Sequence, residues 1–203
     1  MKTSLLLALA TSLALACGVA KAQEQKVLRY SFRVAESSFD PAQITDLYSR
    51  TVVASIFEAP LEYEFLARPA RMRTNTAAGM PEVSADFKSF TFRIKPGIHF
   101  ADDPAFKGAK RELTAQDYVY SIKRHYDPRW KSGNLYLLEN FKILGLSELR
   151  KELIDAKKPF DYDREVEGLK ALDRYTFQIK TAIPNPRLLQ YFTDASFLGA
   201  LAR

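Results

Sequence analysis

Along residues 27–34 the chain alternates, with Leu28, Tyr30, Phe32 and Val34 on one side and Arg29, Ser31 and Arg33 on the other. A period of two predicts a half-buried strand. It runs into Glu36-Ser37-Ser38-Phe39-Asp40-Pro41, where the proline biases its predecessor away from the helical region and the serine and aspartate side chains can hydrogen-bond the local backbone. A loop is predicted there, then a helix around residues 46–58. Residues 63–82 fit no period and carry Arg68-Pro69, Arg71, Arg73, Asn75, Gly79 and Pro81, so they read as a long surface connection. Beyond them Phe90, Phe92 and Ile94 alternate with Thr91, Arg93 and Lys95, and Pro96-Gly97 supplies a turn. The pattern predicts a hairpin of residues 89–95 with 98–100.

Thr114-Ala115-Gln116-Asp117 opens a helix in which Thr114 can cap free backbone amides and Asp117, three residues on, can reach back. Tyr118, Val119, Ile122 and Tyr126 then share one face. A second amphipathic helix is predicted over 147–157, with Leu149, Leu153 and Ile154 inward and a lysine pair near its carboxyl end, where the helix dipole favours cations. Residues 166–181 read as two strands joined at Asp173-Arg174, with Phe177 and Ile179 facing in and Gln178 and Lys180 facing out. After Pro184 and Pro186 a last helix is predicted to reach Arg203 on an apolar stripe, with no capping glycine or polar tail. Such an ending is expected of a fragment or of a naturally short product. No internal repeat or low-complexity run is present.

The amino terminus changes the picture. Lys2 precedes LLLALATSLALA at residues 5–16, an uncharged stretch too short to span a membrane and suited to a signal-peptide core. Ala20-Lys21-Ala22 places small residues where a leader peptidase needs them, so the cut is expected after Ala22. The single cysteine, Cys17, raises the alternative of a lipidated amino terminus; Ala14 stands where a lipoprotein signal prefers a large aliphatic residue, and plain cleavage is the preferred reading. The periplasm is the expected location. Once the leader is removed at Ala22 no cysteine remains, which excludes disulfides, cysteine nucleophiles and thiolate metal sites from the mature chain. Lys2 and Lys21 contribute two of the formal charge of +6, leaving +4 spread among acids, a solvated surface rather than a nucleic-acid face.

The inventory for enzyme chemistry is thin. His99 and His125 are the two imidazoles, and no Gly-x-Ser-x-Gly elbow, phosphate loop or His-Glu-x-x-His pair is present. His99 lies upstream of Asp102 and Asp103, but a metal site wants more convergent ligands, so no metal and no cofactor is expected. Ten tyrosines and fourteen phenylalanines are mostly core by their spacing; Phe39, Tyr48, Trp130 and Tyr136 lie near loops, where a flat ring suits ligand contact. The cluster Lys107-Gly108-Ala109-Lys110-Arg111-Glu112 reads as a mobile surface loop.

Residues 89–128, SFTFRIKPGIHFADDPAFKGAKRELTAQDYVYSIKRHYDP, resemble the signature region of the extracytoplasmic solute-binding family that includes dipeptide- and oligopeptide-binding proteins. The matches are the Phe-x-x-Lys-x-Gly-x-x-Phe stretch, the Asp-bearing loop, and Leu113-Thr114-Ala115-Gln116-Asp117-Tyr118-Val119-Tyr120-Ser121 before Arg124. Ile56-Phe57-Glu58-Ala59-Pro60-Leu61, Met80-Pro81-Glu82-Val83-Ser84-Ala85-Asp86 and Ala171-Leu172-Asp173-Arg174-Tyr175-Thr176-Phe177 are similar to further family segments. Two stretches depart from the pattern: Ala101-Asp102-Asp103 with a longer insertion replaces a short His-Asp-Gly, and Asp86-Phe87-Lys88 stands where the family commonly has Asp-Gly-Lys.

The resemblance implies a mixed α/β fold of the periplasmic binding protein-like type II, present in part. A signal peptide would occupy 1–22, the first part of lobe one 23–55, and an appended subdomain 56–203. It implies no enzyme activity. The implied role is the solute-binding component of an ABC importer: a monomer that captures a short peptide or similar solute and delivers it to an inner-membrane permease. Family members are more than twice this length, and in peptide binders the charged groups that hold the ligand's termini come largely from the parts outside this chain. The expected contributors here are Glu36, Ser37, Ser38 and Phe39, with Tyr48 shortly after that loop. The chain alone is therefore expected to bind peptide weakly or not at all. The competing reading is an envelope interaction module that docks on a partner protein through exposed aromatic loops.

Overall fold

A computed structural model describes residues 26–203, which fall into two units divided after Arg33. The leader, the expected cut after Ala22 and Cys17 lie outside the described residues. In the first unit, residues 26–33 form no strand, and Leu28 is 90% and Tyr30 76% exposed. Alternation supplies a strand with two faces, but its backbone groups also need a neighbouring strand. None pairs with this segment among the described residues.

The second unit begins with a helix shorter than the sequence pattern suggests, α1 (Leu47–Val53), capped by Asp46, whose carboxylate accepts the Ser49 amide at 2.8 Å. Residues 63–82 are more ordered than a surface connection. β1 (Leu61–Tyr63) pairs antiparallel with β2 (Met72–Thr74), and β3 (Glu82–Val83) joins the main sheet. That sheet has the order β3-β4-β6-β5, with β4 (Ser89–Arg93), β5 (Leu169–Ala171) and β6 (Thr176–Lys180), all antiparallel. The strand–turn–strand over 166–181 therefore forms as its alternation suggests, and Phe177 and Ile179 are fully buried.

The pairing expected across Pro96-Gly97 does not form. Both edges of β4 are taken, by β3 and β6, so residues 98–100 turn to another partner: Leu113 N donates to Ile98 O at 2.8 Å and Phe100 N to Arg111 O at 2.9 Å. The carboxyl end of the 107–112 cluster, Arg111 and Glu112, is thereby tied down, while residues 107–110 are exposed. Glu112 accepts from the Gly97 amide at 2.7 Å, the Tyr175 hydroxyl at 3.0 Å and Arg174 at 2.7 Å. The Arg174 hydrogen bond, followed by those from Gly97 and Tyr175, holds the Glu112 carboxyl at about 2.

The register of β4 on β6 sets Phe92 opposite Phe177 and Phe90 opposite Ile179. The Phe92 and Phe177 rings stack with centroids 4.7 Å apart. Over this face lies α2 (Ala115–Tyr126), where the Asp117 carboxylate accepts the Thr114 amide at 2.7 Å and its hydroxyl at 2.9 Å. Tyr118, Val119, Ile122 and Tyr126 are all buried, each side chain contributing roughly 1.5–3 kcal/mol on leaving water. The Tyr118 hydroxyl meets Thr76 Oγ1 at 2.6 Å and Glu58 O at 3.1 Å, and burial pushes its pKa well up.

After α3 (Leu135–Asn140) and α4 (Leu146–Asp155), Leu149 and Leu153 pack inward while Ile154, expected inward, is 46% exposed. One turn of helix separates the inward positions here, and Ile154 falls beside that stripe. The last helix is two short ones, α5 (Leu188–Tyr191) and α6 (Ala195–Leu198), because the Asp194 carboxylate caps a new start at Ser196 N. Phe87 at the β3–β4 turn has φ +54°, the left-handed region that glycine occupies without steric cost.

Candidate ligand loop and its mount

The loop expected to touch ligand is a compact polar knot. Ser37 donates its hydroxyl to Asp46 Oδ2 at 2.6 Å and its amide to the buried Ser49 Oγ at 2.9 Å, and the Asp40 amide donates to Ser38 Oγ at 3.1 Å. Asp40 Oδ1 accepts the Ala42 amide at 3.0 Å, while Asp40 O accepts Gln43 N at 2.9 Å and Ile44 N at 3.2 Å. Hydrogen bonds from Ser37 and then Ser49 hold the Asp46 carboxyl far below the usual carboxylate range. One aspartate thus caps α1 and fastens the loop.

Ser37 and Ser38 are committed to this scaffold. Ser37 is exposed as well, but Glu36 and Phe39 are the exposed members that the scaffold leaves unused; Phe39 is 48% exposed, and Glu36 has no hydrogen-bond or ion-pair partner among the described residues. Tyr48 lies on the first turn of α1, half-buried and already engaged in a contact. The loop brings Glu36 and Phe39 together on a surface fixed from below.

The underside is fastened to α2 and the 130–134 loop. Pro41, Ala42 and Ile44 are buried. Asp40 Oδ2 accepts from the Arg124 guanidinium, which lies 4.2 Å from the Trp130 ring centroid and 5.8 Å from that of Tyr120. Asn134 Nδ2 donates to Ile44 O at 3.3 Å, and Arg50 donates to Asn134 Oδ1 at 2.9 Å. Gly133 permits this docking, since a Cβ there would meet Thr45 Cγ2 at 2.3 Å. The sequence pattern carried a sign of Asp46, in an Asp-x-x-Ser spacing that suits a cap. It carried no sign of the partners of Arg124 and Asn134, which lie more than eighty residues away.

His99 is exposed, with Nδ1 3.0 Å from Gly97 O. Among the described residues no cluster of three or more His, Cys, Asp or Glu side chains could hold a metal ion, and no helix is long and apolar enough to cross a membrane. His125 is buried, with Nδ1 2.7 Å from Ser132 Oγ and Nε2 3.0 Å from Phe197 O; burial lowers its pKa to about 4. It acts as a neutral strut between the 130–134 loop and α6. An open cavity of about 430 Å³ lies between Phe57, Ile98, Phe100 and Phe106, away from the ligand loop.

Comparison with known proteins gives the class of this scaffold. Residues 71–200 match the family model described as bacterial extracellular solute-binding proteins, family 5 middle. The chain belongs to that family. It is 28% identical to the dipeptide-binding protein of Lactococcus lactis over 183 residues, 90% of this chain and 29% of the relative. Over 148 residues it is 32% identical to the di/tripeptide-binding protein 4 of Pseudomonas aeruginosa, covering 70% of this chain and 26% of the relative. Haemophilus influenzae OppA, solved in complex with the peptide RPPGFSPFR, superposes with a TM-score of 0.62 at 24% identity, over 80% of this chain and 28% of that one. The fold is the mixed helix-and-sheet fold of these binding proteins, and the chain spans less than a third of their length.

Proposed function

We propose that this protein is the solute-binding component of an ABC importer that captures short peptides outside the inner membrane and delivers them to a permease. It is exported by the leader cut after Ala22 and acts as a monomer in the periplasm, residues 23–55 belonging to the first lobe and 56–203 to an appended subdomain. The relatives' names, dipeptide- and di/tripeptide-binding, support a peptide as the solute. The observation that carries the reading is the exposed pair Glu36 and Phe39 on a loop whose other polar groups are internally satisfied. Glu36 offers a carboxylate to a cationic group of a peptide and Phe39 a flat apolar surface, while Ser37, Ser38 and Tyr48 complete the rim.

No chemistry is asked of the protein, since affinity comes from enclosing the solute and burying its surface. With the loop facing solvent, the chain itself is expected to hold a tripeptide no more tightly than about 1 mM, the weak end of specific binding, or not at all. Titrating trialanine and maltose in parallel, followed by the amide shifts of residues 36–48, tests this. Shifts confined to trialanine and weakened by Glu36→Gln are the expected result; equal shifts with both solutes, or micromolar trialanine affinity in this chain alone, would overturn it.

A further inference from the structure

The mount contains one interaction that the turn at Asp40 does not require for its own closure. Arg124 projects from the last turn of α2 with its side chain only 10% exposed, and its Nε is buried with no hydrogen-bond partner among the described residues. Buried guanidinium groups ordinarily direct their donors at acceptors. Here one face is laid on the Trp130 indole and a donor is left unmet, an orientation that turns one Nη toward Asp40. Trp130 is itself held: its Nε1 donates to the Tyr162 hydroxyl at 3.0 Å, and that hydroxyl donates to Asp127 Oδ2 at 2.7 Å. Arg129 Nε donates to the same Asp127 oxygen at 2.9 Å. Burial pushes the Asp127 carboxyl up, but the hydrogen bonds from Arg129 and Tyr162 outweigh it and keep the group ionised. A continuous set of contacts therefore runs from the buried Asp127 to Asp40, the residue that closes the loop and directly follows Phe39.

We propose that Arg124 is a positioning residue for the ligand: stacked on Trp130, it holds Asp40 and so sets the conformation in which Glu36 and Phe39 meet a peptide. The inference rests on the peptide-binding reading of that loop. Asp40→Asn removes the charge yet leaves an oxygen to accept the Ala42 amide, so it isolates the Arg124 pairing from the turn. Arg124→Met removes the donors and keeps much of the packing, and Arg124→Lys keeps the positive charge.

The test follows the full chain by amide exchange, by the emission of Trp130, the protein's one tryptophan, and by trialanine titration. Asp40→Asn and Arg124→Met should speed exchange at Ala42, Gln43 and Ile44 by about tenfold, the scale of a lost charge-assisted hydrogen bond. Exchange of the β4 and β6 amides should stay unchanged. Trp130 emission should shift in Arg124→Met, trialanine affinity should fall in both variants, and Arg124→Lys should recover part of the loop protection and part of the affinity. Unchanged loop exchange in both variants would overturn the proposal, as would equal acceleration in the loop and the sheet, which would mark a role in general stability. Should the unaltered chain respond equally to trialanine and maltose, the peptide reading falls; local loop opening in the variants would then still establish that Arg124 positions the loop, and its absence would remove that too.

Discussion

The sheet region and the loop region of the second unit are held by different forces. Between β4, β6 and α2 the contacts are apolar and closed to water: Phe90, Phe92, Tyr118, Phe177 and Ile179 are at most 1% exposed. From residue 36 to 50, above the buried Pro41, Ala42 and Ile44, the contacts are hydrogen bonds that tie Ser37 to Asp46 and Ser49 and Asp40 to Ser38 and Ala42, finished by ion pairs and an asparagine bridge. Burial is non-directional and adds up over area, so the sheet region resists local opening. Hydrogen bonds near the surface exchange with water and contribute little each, but they fix direction. The stable region carries the fold, and the directional region presents Glu36 and Phe39.

The largest expected effect lies in the sheet. Phe177→Ala removes the ring that stacks on Phe92 and lies 5.4 Å from Tyr118, and should cost about 3–5 kcal/mol of stability; urea unfolding with an unchanged slope checks it, and a loss below about 1 kcal/mol would break the contrast between the regions. Acid comes next. Burial holds the His125 pKa near 4, below its ordinary 6.5, so the folded protein binds the proton less readily than the unfolded chain. Its contribution, up to about 3 kcal/mol, is present above pH 6.5 and is lost as pH falls through 4. Urea midpoints at pH 7, 5 and 4 should show that fall, and His125→Gln should flatten it.

Smaller effects probe the loop. Asp46→Ala removes the α1 cap and the Ser37 tie and should cost about 1 kcal/mol, with hydrogen exchange rising at Ser37 and Ser49 before any residue of β6; simultaneous exchange would show one cooperative unit instead of two. Phe87→Gly should stabilise by roughly 0.5–1 kcal/mol, since relief of the left-handed φ exceeds the entropy that glycine adds to the unfolded chain. Phe39→Ala should change stability least, within about 0.5 kcal/mol, while weakening any trialanine binding. A variant that melts early would place Phe39 with the core.

Legibility in the sequence follows the same division. The alternation at Phe90 and Phe92 and the spacing of Tyr118, Val119, Ile122 and Tyr126 reported buried faces, because burial selects residue type at a fixed period. The family pattern also marked Phe87, where a bulky residue stands in a glycine position. Three elements were not legible. Residues 27–34 alternate as a strand does but have no strand beside them among the described residues, residues 98–100 pair with 111–113 instead of with β4, and the carboxyl-terminal helix is broken at Asp194. In each case the pattern specifies a face, and the partner that would use it is chosen elsewhere in the chain.

Local order of residues by itself determined the α2 helix, its capping aspartate, the 166–181 strand pair and the membership of a solute-binding family, since all of these depend on neighbours within a few positions. Tertiary structure alone decided that Asp40 meets Arg124, that Asn134 bridges Ile44 to Arg50, and that Glu36 and Phe39 are left to the solvent. Those contacts join positions more than eighty residues apart, and no short-range period records them, because an ion pair or a bridging amide needs only one residue from each segment.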